Sequence, residues 1–187
     1  MILPSAEQFA NAISCLQSGA TIAYPTEAVF GLGCDPTNLN AIEQLLNIKH
    51  RAANKGFILV ASDWSQLENY VEPIPPKSLT QIQQSWPGPY TWVFPVRKWV
   101  PKELYGDFNG LAVRISAHPI VQALCQQFGS AIISTSANIS GHPPARDAGT
   151  VKMIFGDNIP FILPGEVGTL TRPTEIRDAI TGEILRS

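Results

Sequence analysis

A chain of 187 residues with 44% hydrophobic and 15% charged residues has the material for one sizeable buried core, which excludes a disordered or coiled-coil chain. Lys and Arg total 13 against 15 Asp and Glu, so the net charge of −2 gives no broad attraction to nucleic acid or membrane surfaces. Any basic site has to come from local clustering.

In chain order, the start MILPSAEQFAN lacks a basic segment followed by a long apolar run, so no secretory signal is expected. Ser5 with Gln8 predicts a capped helix start, Phe9, Ala12, Ile13 and Leu16 form its apolar stripe, and Gly19 is placed to end it. ATIAY, residues 20–24, follows as a strand. Gly31-Leu32-Gly33 lacks the third glycine of a dinucleotide fingerprint, because Pro36 stands there, and is expected to be a tight turn. Asn38 can cap a second helix with the stripe Ile42, Leu45, Leu46.

The apolar run Phe57 to Ala61 reads as a buried strand, far short of the roughly 20 residues a membrane helix needs. Asp63 with Gln66 is expected to open another helix. YTWVFPV, LAVRIS and SAIIST read as strands, with a helix from near Pro119 to Gly129 between the last two. FIL, GTL, EIRD and EILR are short strand candidates near the end. The prolines of PIPP, WPGP and HPP are expected in turns or extended loops. Together these predict one α/β domain over residues 1–187, a twisted mixed sheet with flanking helices. Cys15, Cys34 and Cys125 are expected as buried thiols of a cytoplasmic protein.

No G-x-x-x-x-G-K-S/T loop, G-x-S-x-G elbow or H-E-x-x-H occurs, and His50, His118 and His142 have no metal-ligand spacing, so no protein-held metal is expected. KHRAANK is more informative. Lys49 continues the stripe of Ile42, Leu45 and Leu46, so it points along the edge of the core. Arg51 lies about 200° further around a regular helix, so the two converge only if the helix has ended before Arg51. A loop then returns Lys55 to the sheet. Two readings stand: cations complementing a helix dipole, worth about 0.3 to 1 kcal/mol, or a clamp for phosphate or carboxylate oxygens.

STSANISGHPP, residues 134–144, follows a strand with small hydroxyls, an amide and Gly141, suited to holding phosphate or ribose. Arg172, Arg177 and Arg186 are surface arginines by default.

The set YPTEAVFGLGCDP, IKHR with Lys55, WPGPYTWVFP, LAVRIS, STSANISG and PTEIRD with TGEILR resembles the YrdC-like, or TsaC-type, threonylcarbamoyl-AMP synthases along essentially the whole chain. The resemblance implies a YrdC-like α/β fold with a concave, positively charged cavity. The implied reaction joins L-threonine, bicarbonate and ATP into threonylcarbamoyl-AMP with release of pyrophosphate. A threonylcarbamoyl transferase complex would then modify tRNA beside the anticodon. It also implies Mg2+ accompanying ATP and no extra C-terminal domain, and leaves direct contact with tRNA or double-stranded RNA open. By motif, Lys49 and Arg51 match a Lys-x-Arg pair with a catalytic and ATP-binding role, joined at ATP by Lys55, Ser136, Asn138 and Arg186. Thr26, Arg114 and Thr174 match threonine-binding positions. The competing expectation is a module for structured RNA with no chemistry of its own, binding through a basic concavity.

Overall fold

The computed structural model describes residues 3–171 and 174–186. Helix α1, Ala6–Gln17, starts at the expected capping box of Ser5 and Gln8. Strand β1, Ile22–Pro25, turns back into β2, Phe30–Gly33, with Ala23 opposite Leu32. The Gly-Leu-Gly stretch is therefore a strand and not the expected tight turn. Only glycine fits its last position, since a Cβ on Gly33 would stand 2.2 Å from the Ile133 carbonyl oxygen.

Asn38 accepts from the Ala41 N–H and caps α2, Leu39–Lys49. Strand β3, Ile58–Ala61, follows, and then only a single 3-10 turn, Trp64–Gln66, where a helix was expected. The Gln66 side chain explains the difference: it bonds the Ser62 N–H and the Cys125 carbonyl instead of closing a capping box on Asp63.

The prolines of PIPP are not all in loops. Pro76 opens α3, Pro76–Gln84, at the one helical turn where a missing N–H costs nothing. Strand β4, Tyr90–Phe94, a short α4, Lys102–Tyr105, and β5, Leu111–Ile115, come next. Helix α5, Pro119–Phe128, ends at Gly129 as expected and leads to β6, Ile132–Ser136. Asp147 caps α6, Ala148–Phe155, an element outside the expected set. Strands β7, Phe161–Ile162, β8, Glu175–Asp178, and β9, Ile184–Arg186, complete the order. GTL is not a strand; the N–H groups of Gly168 and Leu170 bond the carbonyls of Thr26 and Glu27 instead.

Among the described residues the strands form one mixed sheet in the order β7-β1-β2-β6-β3-β5-β4-β8-β9. The parallel pairs are β1 with β7, β3 with β5 and β4 with β8. One face packs on a cluster that includes Ile42, Leu45, Leu59, Ile82, Phe94, Val113, Ile133 and Phe155. On the other, Val60 and Ile132 pack with Phe9 and Leu16 of α1 and Leu124 of α5.

Side chains two apart on a strand share a face. Ile58 and Ser134 therefore lie on the same face as Val60 and Ile132, but they line a cavity. The cavity occupies the end of that face which α1 and α5 leave uncovered. Cys34 and Cys125 are buried free thiols, whereas Cys15 is half-buried, which corrects the expectation for that residue. Among the described residues no helix is long and apolar enough to cross a membrane.

Candidate active site

The cavity has a volume of about 940 Å3, at the upper end of the range for small-molecule sites and roomy enough for more than one substrate. Of the nine residues singled out from the sequence, Thr26, Arg51, Lys55, Arg114, Ser136, Thr174 and Arg186 line it, whereas Lys49 and Asn138 do not.

The α2 terminus sets the first wall. His50 takes the left-handed conformation, φ 50° and ψ 46°, so the helix stops before Arg51. Arg51 then swings away from the helix axis. Its Nη2 donates to the carbonyls of Lys55 at 3.0 Å and Gly56 at 2.8 Å, and its guanidinium stacks 5.5 Å from the centre of the Phe57 ring. Its buried Nε has no partner. Lys55 remains exposed at the cavity edge.

Lys49 has a different place from the expected phosphate contact. It is 1% exposed, and its Nζ donates to the Ser136 carbonyl, to the Asn138 carbonyl at 2.8 Å and to Asn138 Oδ1 at 3.3 Å. An ammonium has three hydrogens to give, and all three have acceptors here. Burial first, and then the neighbouring Arg51 charge, push Lys49 down to about 7; the surrounding oxygens favour the ammonium form. Lys49 thus fastens the end of β6 to the end of α2, aided by the Ser140 N–H on the Lys49 carbonyl at 3.0 Å. Asn138 is equally committed, through Nδ2 to the carbonyls of Ile139 at 3.0 Å and His142 at 2.7 Å. From residues 134–144, Ser134, Thr135, Ser136 and Pro144 line the cavity.

Another part of the lining is built on Arg114 of β5. Its Nη1 donates to Thr174 Oγ1 at 2.6 Å, and its Nη2 lies 3.4 Å from the Glu27 carboxylate. Glu27 also accepts from the Ser116 hydroxyl at 2.6 Å and the Ala117 N–H at 3.2 Å. Burial raises the Glu27 carboxyl, but the Arg114 charge and the Ser116 hydrogen bond outweigh it and hold the group below its ordinary range. Arg186 Nη2 donates to the Thr174 carbonyl at 3.0 Å. Thr26 gives its hydroxyl to the Val29 carbonyl at 2.7 Å.

Glu27 was missing from the sequence-derived set. The signal was its place beside Thr26 in YPTE, where a carboxylate is buried only with a partner. Phe57 and Asp178, which also line the cavity, were missed for want of any spacing rule that marks them. Arg177 ion-pairs with Glu175 and lies over the rings of Tyr90 and Trp92, away from the cavity lining. Arg172 lies outside the described residues.

Arg51, Lys55, Arg114 and Arg186 thus stand around one space with Asp178 as the lining carboxylate. Burial and the Arg186 charge lower Arg51, and burial and the Arg114 charge lower Arg186, so Arg186 is within electrostatic reach of both other guanidinium groups. Such an arrangement is suited to binding polyanions and carboxylates. Among the described residues no group of three or more His, Cys, Asp or Glu could hold a metal ion. The oxygens at hand, the Asp178 carboxylate with hydroxyl and carbonyl groups, fit a magnesium ion that takes its other ligands from phosphate and water.

The Sua5/YciO/YrdC family model, described as telomere recombination, matches residues 14–187. A threonylcarbamoyl-AMP synthase of Coxiella burnetii is 53% identical over 176 residues, 94% of this chain and 95% of the relative. A double-alanine variant of P. abyssi Sua5 matches with a TM-score of 0.89 and 30% identity, covering 95% of this chain and 55% of the other. P. abyssi Sua5 complexed with L-threonine matches with a TM-score of 0.85 and 31% identity, over 91% and 50% of the two chains. This chain therefore spans about half the length of those solved Sua5 chains.

Proposed function

The chain belongs to the Sua5/YciO/YrdC family, and from that premise we propose that it is a threonylcarbamoyl-AMP synthase acting on L-threonine, bicarbonate or CO2, and ATP. The observation that carries this reading is one cavity of about 940 Å3 that Arg114 and Thr174 line together with Arg51 and Lys55. Two anionic substrates can lie side by side there.

In this reading the threonine carboxylate meets Arg114, whose guanidinium is already oriented by Glu27 and Thr174. The neutral threonine amine adds to CO2 and gives up a proton, or displaces hydroxide from bicarbonate so that water leaves, and either route gives a carbamate. A carbamate oxygen attacks the α-phosphorus, the bond to the β-phosphate oxygen breaks, and pyrophosphate leaves with its electron pair. Negative charge grows on the phosphoryl oxygens and the leaving group, so Arg51, Lys55 and Arg186 are placed where cations lower the barrier. The chain acts here as a nucleotidyltransferase.

Magnesium arrives as part of the ATP substrate and neutralises phosphate charge. Lys49 and Asn138 keep the Ser136 loop in register with α2 and do not meet ATP themselves. The partly enclosed cavity slows hydrolysis of the carbamate and of the mixed anhydride. The product is consumed by a threonylcarbamoyl transferase complex on tRNA in the cytoplasm. Pyrophosphate release that requires both threonine and bicarbonate tests the assignment; release with either omitted would refute it.

A further inference from the structure

The hydrogen of one cavity hydroxyl has its direction set by its neighbours. Asn138 Nδ2 donates to two carbonyls, of Ile139 and His142, while Asn138 Oδ1 accepts from Lys49 Nζ and faces Ser136 Oγ at 2.6 Å. Turning the amide over would aim its NH2 at an ammonium and its oxygen at two carbonyl oxygens, so its orientation is fixed. An amide oxygen cannot donate. The hydrogen between Ser136 and Asn138 therefore comes from Ser136, and the cavity sees only lone pairs on Ser136 Oγ.

We propose that Ser136 is an acceptor-only contact, held so by Lys49 and Asn138 as positioning residues, and that its partner in the bound state is electropositive. Two sources share that chemistry: the magnesium ion carried on ATP, and an N–H of the amino-acid substrate. An ionised phosphate oxygen is excluded as the partner, because neither side would bring a hydrogen. A hydroxyl that binds magnesium while giving its hydrogen elsewhere has a physical parallel in nucleotide-binding loops. The proposal rests on the synthase reading for its ligands and narrows that reading: the phosphates are left to Arg51, Lys55 and Arg186.

The test is calorimetry on the full chain with ATP in EDTA, ATP with Mn2+, and threonine, comparing wild type with Ser136→Ala. If the metal is the partner, the substitution weakens Mn-ATP about tenfold and leaves metal-free ATP within about twofold, the loss expected for one contact to a charged group. Electron paramagnetic resonance of the bound Mn2+ then changes as well. If an N–H is the partner, both ATP affinities hold and threonine binding weakens about tenfold. A loss of metal-free ATP binding equal to that of Mn-ATP would mean that Ser136 donates to phosphate, and it overturns the proposal, as does no change in any of the three affinities.

Positioning is read separately. Asn138→Ala frees the Ser136 hydroxyl to rotate and erases the ligand preference; a preference in Asn138→Ala equal to that of the wild type overturns the positioning role. These are binding measurements, so they are distinguishable from failure of the synthase reading, which would appear as wild-type protein making no adenylate from threonine.

Discussion

Arg114 donates to Thr174 across 2.6 Å while Glu27 faces the same guanidinium at 3.4 Å, and both charged side chains are nearly fully buried. A guanidinium held on two sides is aimed before any ligand enters, which reduces the ordering cost of binding a carboxylate. Thr174→Val removes one hydrogen bond to a charged group. The KM for threonine should rise about tenfold, with the KM for ATP nearly unchanged, as steady-state pyrophosphate release would report.

Glu27→Gln breaks a buried pair and leaves the Arg114 charge uncompensated, at a cost of about 3 kcal/mol in folding stability. The pH dependence follows from the direction of the Glu27 shift. Its folded pKa lies below the ordinary 4.5, so the folded state binds the proton more weakly than the unfolded chain. The stabilisation is present above the unfolded value and is lost as pH falls through the folded one. The stability gap between wild type and Glu27→Gln, from urea unfolding, should be widest at neutral pH and narrow steadily below 4.5.

Lys49 and Lys55 should behave as opposites, although only five residues separate them in one motif. Lys49→Met removes a buried cation on which three oxygens of Ser136 and Asn138 converge and should cost about 3 kcal/mol with a lowered Tm. Lys55→Ala, at an exposed position, should leave stability within about 0.5 kcal/mol and reduce turnover. Thermal melts beside activity assays separate the two.

Arg51→Ala removes a cation from the cavity wall without emptying the core. Threonine-dependent pyrophosphate release should fall roughly 100-fold, the scale for losing one preorganised charge at a developing anion. Unchanged turnover in both Arg51→Ala and Lys55→Ala would remove the phosphate assignment.

Local signals explain what could be read from the chain. Ser5, Asn38 and Gly129 mark helix ends by side-chain chemistry that needs no tertiary partner, and all three were legible. So was the inward course of Lys49, because it continued the stripe of Ile42, Leu45 and Leu46. The acceptors for Lys49 were not legible, since Ser136 and Asn138 lie 87 and 89 residues away. Helix α3 was hidden because a proline forbidden in a helix interior is favoured in its first turn. Strand β2 was hidden by glycines that are present for close packing on Tyr24 and Ile133, not for turning. The cavity itself came from the family resemblance; nothing in the periodicity of β3, β5 and β6 says where α1 and α5 stop covering the sheet.

The most direct measurement is mass spectrometry of the wild-type protein incubated with ATP, Mg2+, threonine and carbon-13 bicarbonate. The account predicts an acyl-adenylate with the mass of threonylcarbamoyl-AMP, carrying the label in its carbamoyl carbon and absent when threonine is replaced by other amino acids. No adenylate, with salt-sensitive binding of structured RNA as the remaining activity, would contradict it.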